Sequence, residues 1–171
     1  MSDENRIFLS LGSNIKDRYQ HLKNGIKMIN EHPHIWVIQK SYVYESAPMY
    51  NPDQNFFYNM VIEIDTNLIP IDLLSAIKKI ERLNDRSFEE KKNMPRTLDI
   101  DILVVGNLLI NTPSLKIPHK SISERKFVLK PWNDIASNFI IINHNLSVET
   151  LLQETSDTSE LNMVLILDDK L

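Results

Sequence analysis

The sequence has no cysteine and only three glycines, Gly12, Gly25 and Gly106, among its 171 residues. Lack of cysteine excludes disulfides, thiolate zinc sites, iron–sulfur clusters and thiol nucleophiles together. The glycines stand too far apart to write G-x-G-x-x-G or G-x-x-x-x-G-K-[ST], and G-x-S-x-G is equally missing. A nucleotide bound by this chain needs something other than a glycine-rich loop to hold its phosphates. Long apolar runs are missing as well. Residues 1–6 are polar, and the apolar run at 7–11 is too short for a signal core or a membrane span. Basic residues are outnumbered by acidic ones, 19 to 23, and the net charge of −4 argues against a general nucleic-acid binder. These absences lead us to expect a cytoplasmic monomer that binds neither membrane nor nucleic acid.

What is present is globular. Hydrophobic residues at 42% and charged residues at 25% exclude disorder and fibres. The length suits one domain, expected to span residues 1–171, that buries about 70% of its unfolded surface. Charge is unevenly spread. Between Pro113 and Pro131 lie Lys116, Lys120, Arg125, Lys126 and Lys130 against a single acid, Glu124. A basic segment inside an acidic chain suits a small anionic ligand; the plain alternative is a solvated loop.

Hydrophobic period sets the expected elements. Residues 6–11 read as a buried strand, and a helix beginning at Asp17 presents Tyr19, Leu22, Ile26 and Ile29 on one face. Residues 34–45, rich in Ile, Val, Tyr and Trp, predict one strand, broken afterwards by the polar stretch around Pro48 and Pro52. Residues 56–65 alternate, with Phe56, Tyr58, Met60, Ile62 and Ile64 opposite Phe57, Asn59, Val61, Glu63 and Asp65. Pro70 and Asp72 open a helix whose expected face is Leu73, Ala76, Ile77, Ile80 and Leu83. Residues 87–94 carry no period and predict a mobile loop. A strand at 98–105 follows, with an expected hairpin partner at 108–110; helices are expected at 127–136 and 148–154, and a last strand at 163–167. The first 105 residues thus predict an α+β chain in β-α-β-β-α-β order, the ferredoxin-like arrangement of an antiparallel sheet flanked by helices.

The sharpest chemical feature is the run Pro95-Arg96-Thr97-Leu98-Asp99-Ile100-Asp101. On a strand, Asp99 and Asp101 share one face while Leu98 and Ile100 take the other. Two neighbouring carboxylates repel unless a hard cation such as Mg²⁺ sits between them, its shell completed by phosphate oxygens. A wet acidic strand face is the bland alternative. Arg96 beside the pair, Arg86 upstream and the basic segment downstream supply the cations that phosphoryl transfer requires. Phe57 and Asn59 share the non-aliphatic face of their strand, where a ring and an amide can stack on a flat heterocycle and read its edge. Packing under a helix would explain the same two residues. His32 and His34 flank a proline and predict a turn, His119 falls in the basic segment, and Trp36 and Trp132 are expected in the core.

These residues carry a family resemblance over residues 7–136. In order they are Leu11-Gly12-Ser13-Asn14, Ser46-Ala47-Pro48-Met49, Phe57-Tyr58-Asn59, Ile80-Glu81 with Arg86, the Pro95 to Asp101 run, Ile117-Pro118-His119, and Arg125 with Phe127. The chain resembles the 6-hydroxymethyl-7,8-dihydropterin pyrophosphokinases of folate biosynthesis. The resemblance implies that pyrophosphate passes from ATP to the pterin hydroxymethyl oxygen, with AMP leaving. It implies that Asp99 and Asp101 hold two Mg²⁺ ions and that Arg86 and Arg96 act on the transferring group. Glu81, Lys116, His119 and Arg125 would contact ATP, and Phe57 and Phe127 would sandwich the pterin. Asn59, with the backbone of Ser46 and Met49, would read its pyrimidine edge. The chain departs from the family pattern at Asn93 and Met94, where an aromatic and a small residue are common. It also has Lys120 where an aromatic often follows the Pro-His pair, and Glu89 and Glu90 where the loop is often basic.

Two other readings fit less of the chain. A nucleotidyltransferase of the polymerase-β type also pairs Gly-Ser with D-x-D, but there the carboxylates follow closely, whereas Asp99 comes far downstream of Ser13. A non-catalytic RNA-binding module would need an aromatic RNP pattern and a basic face, and neither is present.

Overall fold

Strict alternation at the centre of the sheet decides which face is core and which is not. The structure, a computed structural model, describes residues 5–49, 52–84 and 95–164. The chain runs β1 (Ile7–Ser13), α1 (Arg18–Asn30), β2 (Ile35–Lys40), β3 (Tyr44–Ser46), β4 (Phe57–Thr66), α2 (Pro70–Leu83) and β5 (Asp99–Val105). It continues through β6 (Ile110–Asn111), β7 (Lys116–Ile117), α3 (Lys126–Ala136), β8 (Ile140–Ile141), β9 (Leu146–Ser147), α4 (Val148–Glu154) and β10 (Leu161–Met163). The main sheet is antiparallel in the order β10-β3-β4-β1-β5, with β2 also paired to β4. With β2 and β3 taken as halves of one broken strand, this is the expected ferredoxin-like order.

One face of the sheet is apolar throughout. Ile7, Leu9 and Leu11 of β1, Met60, Ile62 and Ile64 of β4, and Ile100 and Ile102 of β5 pack beneath Leu22, Ile26 and Ile29 of α1 and Leu73, Ile77 and Ile80 of α2. Fully burying each such side chain stabilises by about 1.5–3 kcal/mol. Helix α1 comes close because Gly25 allows it: a Cβ there would lie 2.8 Å from Leu98 Cδ2. That contact seats the residue immediately before Asp99.

The opposite face is divided. At one end, Phe8, Val61, Leu103 and Val104 pack under Val128, Leu129 and Trp132 of α3 and Val148 and Leu151 of α4. Phe8, Trp132 and Phe139 form an aromatic knot with centroids 5.1–5.7 Å apart. At the other end the alternate positions are Gly12, Asn59, Asp99 and Asp101, and no helix covers them. Register puts them side by side, Gly12 opposite both Asn59 and Asp99.

Several expectations need correction. The strand at 34–45 is split, because Ser41 donates its N–H to Val61 O and accepts the Val61 N–H on Oγ, occupying ladder positions with its own side chain. Trp36 is 46% exposed rather than core, since it stands opposite Asp65 on β2, a strand paired with β4 alone. Leu83 is 63% exposed, and the buried stripe of α2 instead turns onto Glu81. Tyr19 is only half-buried, and Asp17 precedes α1 with φ 63° and no capping bond. Residues 108–110 do not pair with β5. Gly106, at φ 49°, turns the chain away and Ile110 pairs with Ile117 of β7. The last strand comes earlier than expected, at Leu161–Met163 on β3; the residues from 165 onward lie outside the described part, as do Arg86 and the 87–94 loop. His32 and His34 do form a turn, closed by the His34 N–H on His32 Nδ1 at 3.3 Å. Among the described residues no helix is long and apolar enough to cross a membrane.

Candidate active site

The uncovered end of the divided face is the floor of a cavity of about 350 Å³, a ligand-sized volume. Its lining gathers nine of the residues singled out from sequence: Ser46, Met49, Phe57, Asn59, Arg96, Asp99, Asp101, Arg125 and Phe127. Phe57 stands at the start of β4 and Phe127 in the first turn of α3, so the two rings come from opposite layers. Asn59 is buried, and its Nδ2 donates to Ser46 Oγ at 2.9 Å, which fixes the amide plane. Gly12 keeps the floor low: a Cβ there would stand 3.2 Å from Asn59 Oδ1 and 3.9 Å from the Phe57 ring.

Each carboxylate on β5 is matched by a cation. Arg96 pairs with Asp99. Asp101 Oδ2 lies 3.8 Å from Arg125 and 3.9 Å from His119 Nε2. His119 Nδ1 accepts the Ser121 N–H at 3.3 Å, so the neutral ring carries its proton on Nε2, facing Asp101. Burial holds the His119 pKa below its ordinary value; Asp101 opposes that shift and Arg125 adds to it. Arg125 Nε is buried without a hydrogen-bond partner among the described residues.

A second cavity of about 260 Å³ adjoins the first, walled by Leu74, Ile102 and Leu115 with Lys78, Lys116 and His119. Glu81 lines neither. Its buried carboxylate accepts the Ile100 N–H at 2.6 Å and the Lys78 ammonium at 2.8 Å, tying α2 to the strand of the aspartates. Desolvation raises its pKa, and Lys78 works against the rise. The geometry therefore gives Glu81 a bracing position between α2 and β5.

Sequence reasoning missed Asn14 as a hub. Wholly buried after β1, it exchanges bonds with the Arg96 backbone through its own N–H (3.1 Å) and Oδ1 (2.6 Å), and Nδ2 donates to Gln54 at 2.9 Å. It thereby sets both Arg96 and the 54–55 segment. The only hint was its place at the end of Leu11-Gly12-Ser13-Asn14. The residues after 136 were also silent, yet Asp157 accepts the Lys126 N–H at 2.9 Å and Thr155 donates to Ser123 O at 2.8 Å. They hold the turn of α3 that carries Arg125 and Phe127.

Asp99 and Asp101 fit a magnesium site. They are 22% and 33% exposed, share the open face, and stand over a floor kept clear by Gly12. No cluster of three or more acidic, histidine or cysteine side chains forms a complete cage among the described residues. Mg²⁺ characteristically takes one or two carboxylates and fills its shell with water and substrate phosphates.

Comparison with known proteins follows the same residues. A family model described as 7,8-dihydro-6-hydroxymethylpterin-pyrophosphokinase (HPPK) matches residues 8–137. The chain is 42% identical over 136 residues to the folic acid synthesis protein FOL1 of Dictyostelium discoideum, covering 80% of this chain and 20% of that protein. It is 37% identical over 131 residues to the 2-amino-4-hydroxy-6-hydroxymethyldihydropteridine pyrophosphokinase of Pseudomonas aeruginosa, covering 77% and 80%. It thus spans one fifth of the length of the first relative and most of the second. A crystal structure of Plasmodium falciparum HPPK-DHPS with pteroate shares the fold at TM-score 0.71 and 17% identity, over 88% of this chain and 42% of that one.

Proposed function

Because the chain belongs to the 7,8-dihydro-6-hydroxymethylpterin-pyrophosphokinase family, we propose that it transfers pyrophosphate from ATP to 6-hydroxymethyl-7,8-dihydropterin. The observation that carries this is the meeting of two cavities at Asp101, one flanked by two phenylalanines and an anchored amide, the other apolar with basic side chains at its rim. The first suits a flat heterocycle and the second a nucleoside.

In this reading the pterin lies between Phe57 and Phe127. Asn59, held by Ser46, presents Oδ1 to the pyrimidine edge, and the backbone of Ser46 and Met49 completes the recognition. ATP occupies the second cavity with Lys116 and His119 against its phosphates, which extend toward Arg125 in the first. Glu81 serves there by holding Lys78 and the Ile100 backbone rather than by touching ATP. Asp99 and Asp101 would hold two Mg²⁺ ions. Bound there, the metal would neutralise phosphate charge and acidify the attacking hydroxyl, so that no side-chain general base is required. The hydroxymethyl oxygen attacks the β-phosphorus, and the bond from that phosphorus to the α,β-bridging oxygen breaks. AMP departs with the bridging oxygen, and the hydroxyl proton passes to solvent. Arg96, set by Asn14, stabilises charge on the transferring group, and Arg86, outside the described residues, is assigned the same task. Residues 1–171 act as one catalytic domain, a proposal supported by the bonds from Thr155 and Asp157 to the start of α3. A cytoplasmic monomer acting only on small molecules accords with the composition.

Incubation with ATP, Mg²⁺ and 6-hydroxymethyl-7,8-dihydropterin, followed by ³¹P NMR of the products, tests the proposal. AMP with pterin diphosphate is expected. Released pyrophosphate would indicate nucleotidyl transfer instead, and no turnover would refute the assignment.

A further inference from the structure

Among the described residues, Asp101 and Lys120 alone line both cavities. If the pterin fills one cavity and the nucleoside the other, the phosphorus under attack must lie where they join. The residues at that junction therefore face the reacting atoms. Asp101 is already counter-charged, with Arg125 and His119 beside it. Asp99 is likewise matched by Arg96. Lys120 is exposed and pairs with no carboxylate among the described residues. Its neighbours fix its origin: the His119 N–H is bonded to Leu103 O at 2.8 Å and the Ser121 N–H to His119 Nδ1. The stem thus leaves from anchored backbone while the ammonium is uncommitted.

Resting on the transfer proposed above, we infer that Lys120 is a catalytic residue of this chain whose ammonium binds the phosphates at the bond that breaks. As the β-phosphorus leaves the α,β-bridging oxygen, negative charge gathers on that oxygen, which departs as part of AMP. A lysine ammonium is a compact charge with three donors on a flexible stem, able to follow an oxygen as it moves away. It donates hydrogen bonds and keeps its protons throughout; the hydroxyl proton still passes to solvent. The guanidinium groups of Arg96 and Arg125 start the cycle facing carboxylates, whereas Lys120 faces none among the described residues. Its contribution is a charge that counts more in the transition state than in the ground state, which raises kcat rather than lowering KM.

Single-turnover rates of wild type, Lys120→Met and Lys120→Arg, with enzyme in excess over pterin and Mg²⁺-ATP saturating, test this. Lys120→Met should slow AMP formation about 10²-fold, with the KM for pterin held within about twofold in parallel steady-state assays. Lys120→Arg, which restores a cation with different geometry, should recover the rate to within about tenfold of wild type. Melting temperatures should be unchanged, since the side chain is exposed. Wild-type rates in Lys120→Met would overturn the inference and leave the transfer standing. Equal losses in Met and Arg variants with a lowered melting temperature would make Lys120 structural and overturn it too. Wild type that forms no AMP would overturn the transfer itself, and the Lys120 assignment with it.

Discussion

The two ends of one sheet face differ by a handful of side chains on the same three strands. At the covered end, Phe8, Val61, Leu103 and Val104 meet α3 and α4, and the surface is core. At the open end, Gly12, Asn59, Asp99 and Asp101 occupy the equivalent alternate positions and line a cavity. Strand β1 keeps β4 and β5 as partners through both ends, with one register shift against β5 between Phe8 and Leu9. Side-chain chemistry on these shared strands converts packing surface into site. Polar groups at the open end could not be covered without losing water they need, so the helices stop where the carboxylates begin. The rigidity of the covered half is what keeps Asp99 and Asp101 in place.

Substitutions can separate the halves. The largest expected effect lies at the open end. Asp99→Asn should cut transfer about 10³-fold or more, a loss of several kcal/mol of charge stabilisation. Its circular dichroism and urea midpoint should match wild type; an active variant, or one that melts early, would break the comparison. At the covered end the pattern should reverse. Phe139→Ala removes a wholly buried ring from the aromatic knot and should cost about 3–4 kcal/mol of unfolding free energy. Turnover of its folded fraction should stay near wild type, as assayed below the transition. Glu81 joins the two behaviours. Glu81→Leu leaves the Ile100 N–H without its acceptor and Lys78 with the Ile100 carbonyl in place of a carboxylate, for about 1–3 kcal/mol. Glu81→Gln keeps an acceptor and removes the buried charge. The folded Glu81 holds its proton more tightly than the unfolded 4.5, so its contribution is fully present below that value and lost as pH rises through the raised one. Stability of wild type relative to Glu81→Gln should therefore climb as pH is lowered, measured by melting across pH 4–7. A flat difference would deny the raised pKa.

Much of this was legible in the residues. Alternation at 56–65 and the Pro95 to Asp101 run foretold which residues share a strand face, Asp99 with Asp101 among them. Local period carries that information, and tertiary packing agreed with it. Other features depend on contacts between distant segments. Glu81 lies off the expected apolar face of its helix, and only the fold brings the Ile100 N–H to it. Trp36 reads as core until its strand is found at an edge, paired with β4 alone. Ser41 splits a strand with a side-chain bond that no propensity records. Lys120 could be seen as a departure from a pattern, but its place between two cavities appears only when β5 and the 118–121 segment are brought together. Residues 137–164 bear no motif because their work is bracing, done by backbone and by single caps such as Asp157.

The scarcity of glycine bears directly on the central claim. With no glycine-rich cradle, ATP phosphates would in the proposed reaction be held at the open end of the sheet through Asp99, Asp101 and their cations together with basic side chains from separate segments. Calorimetric titration of ATP into the protein, in excess Mg²⁺ and then in excess chelator, measures this most directly. Saturable one-to-one binding with Mg²⁺ that disappears in chelator is the predicted result. Equal affinity in both conditions would contradict the account, for the phosphates would then be held without the carboxylate pair.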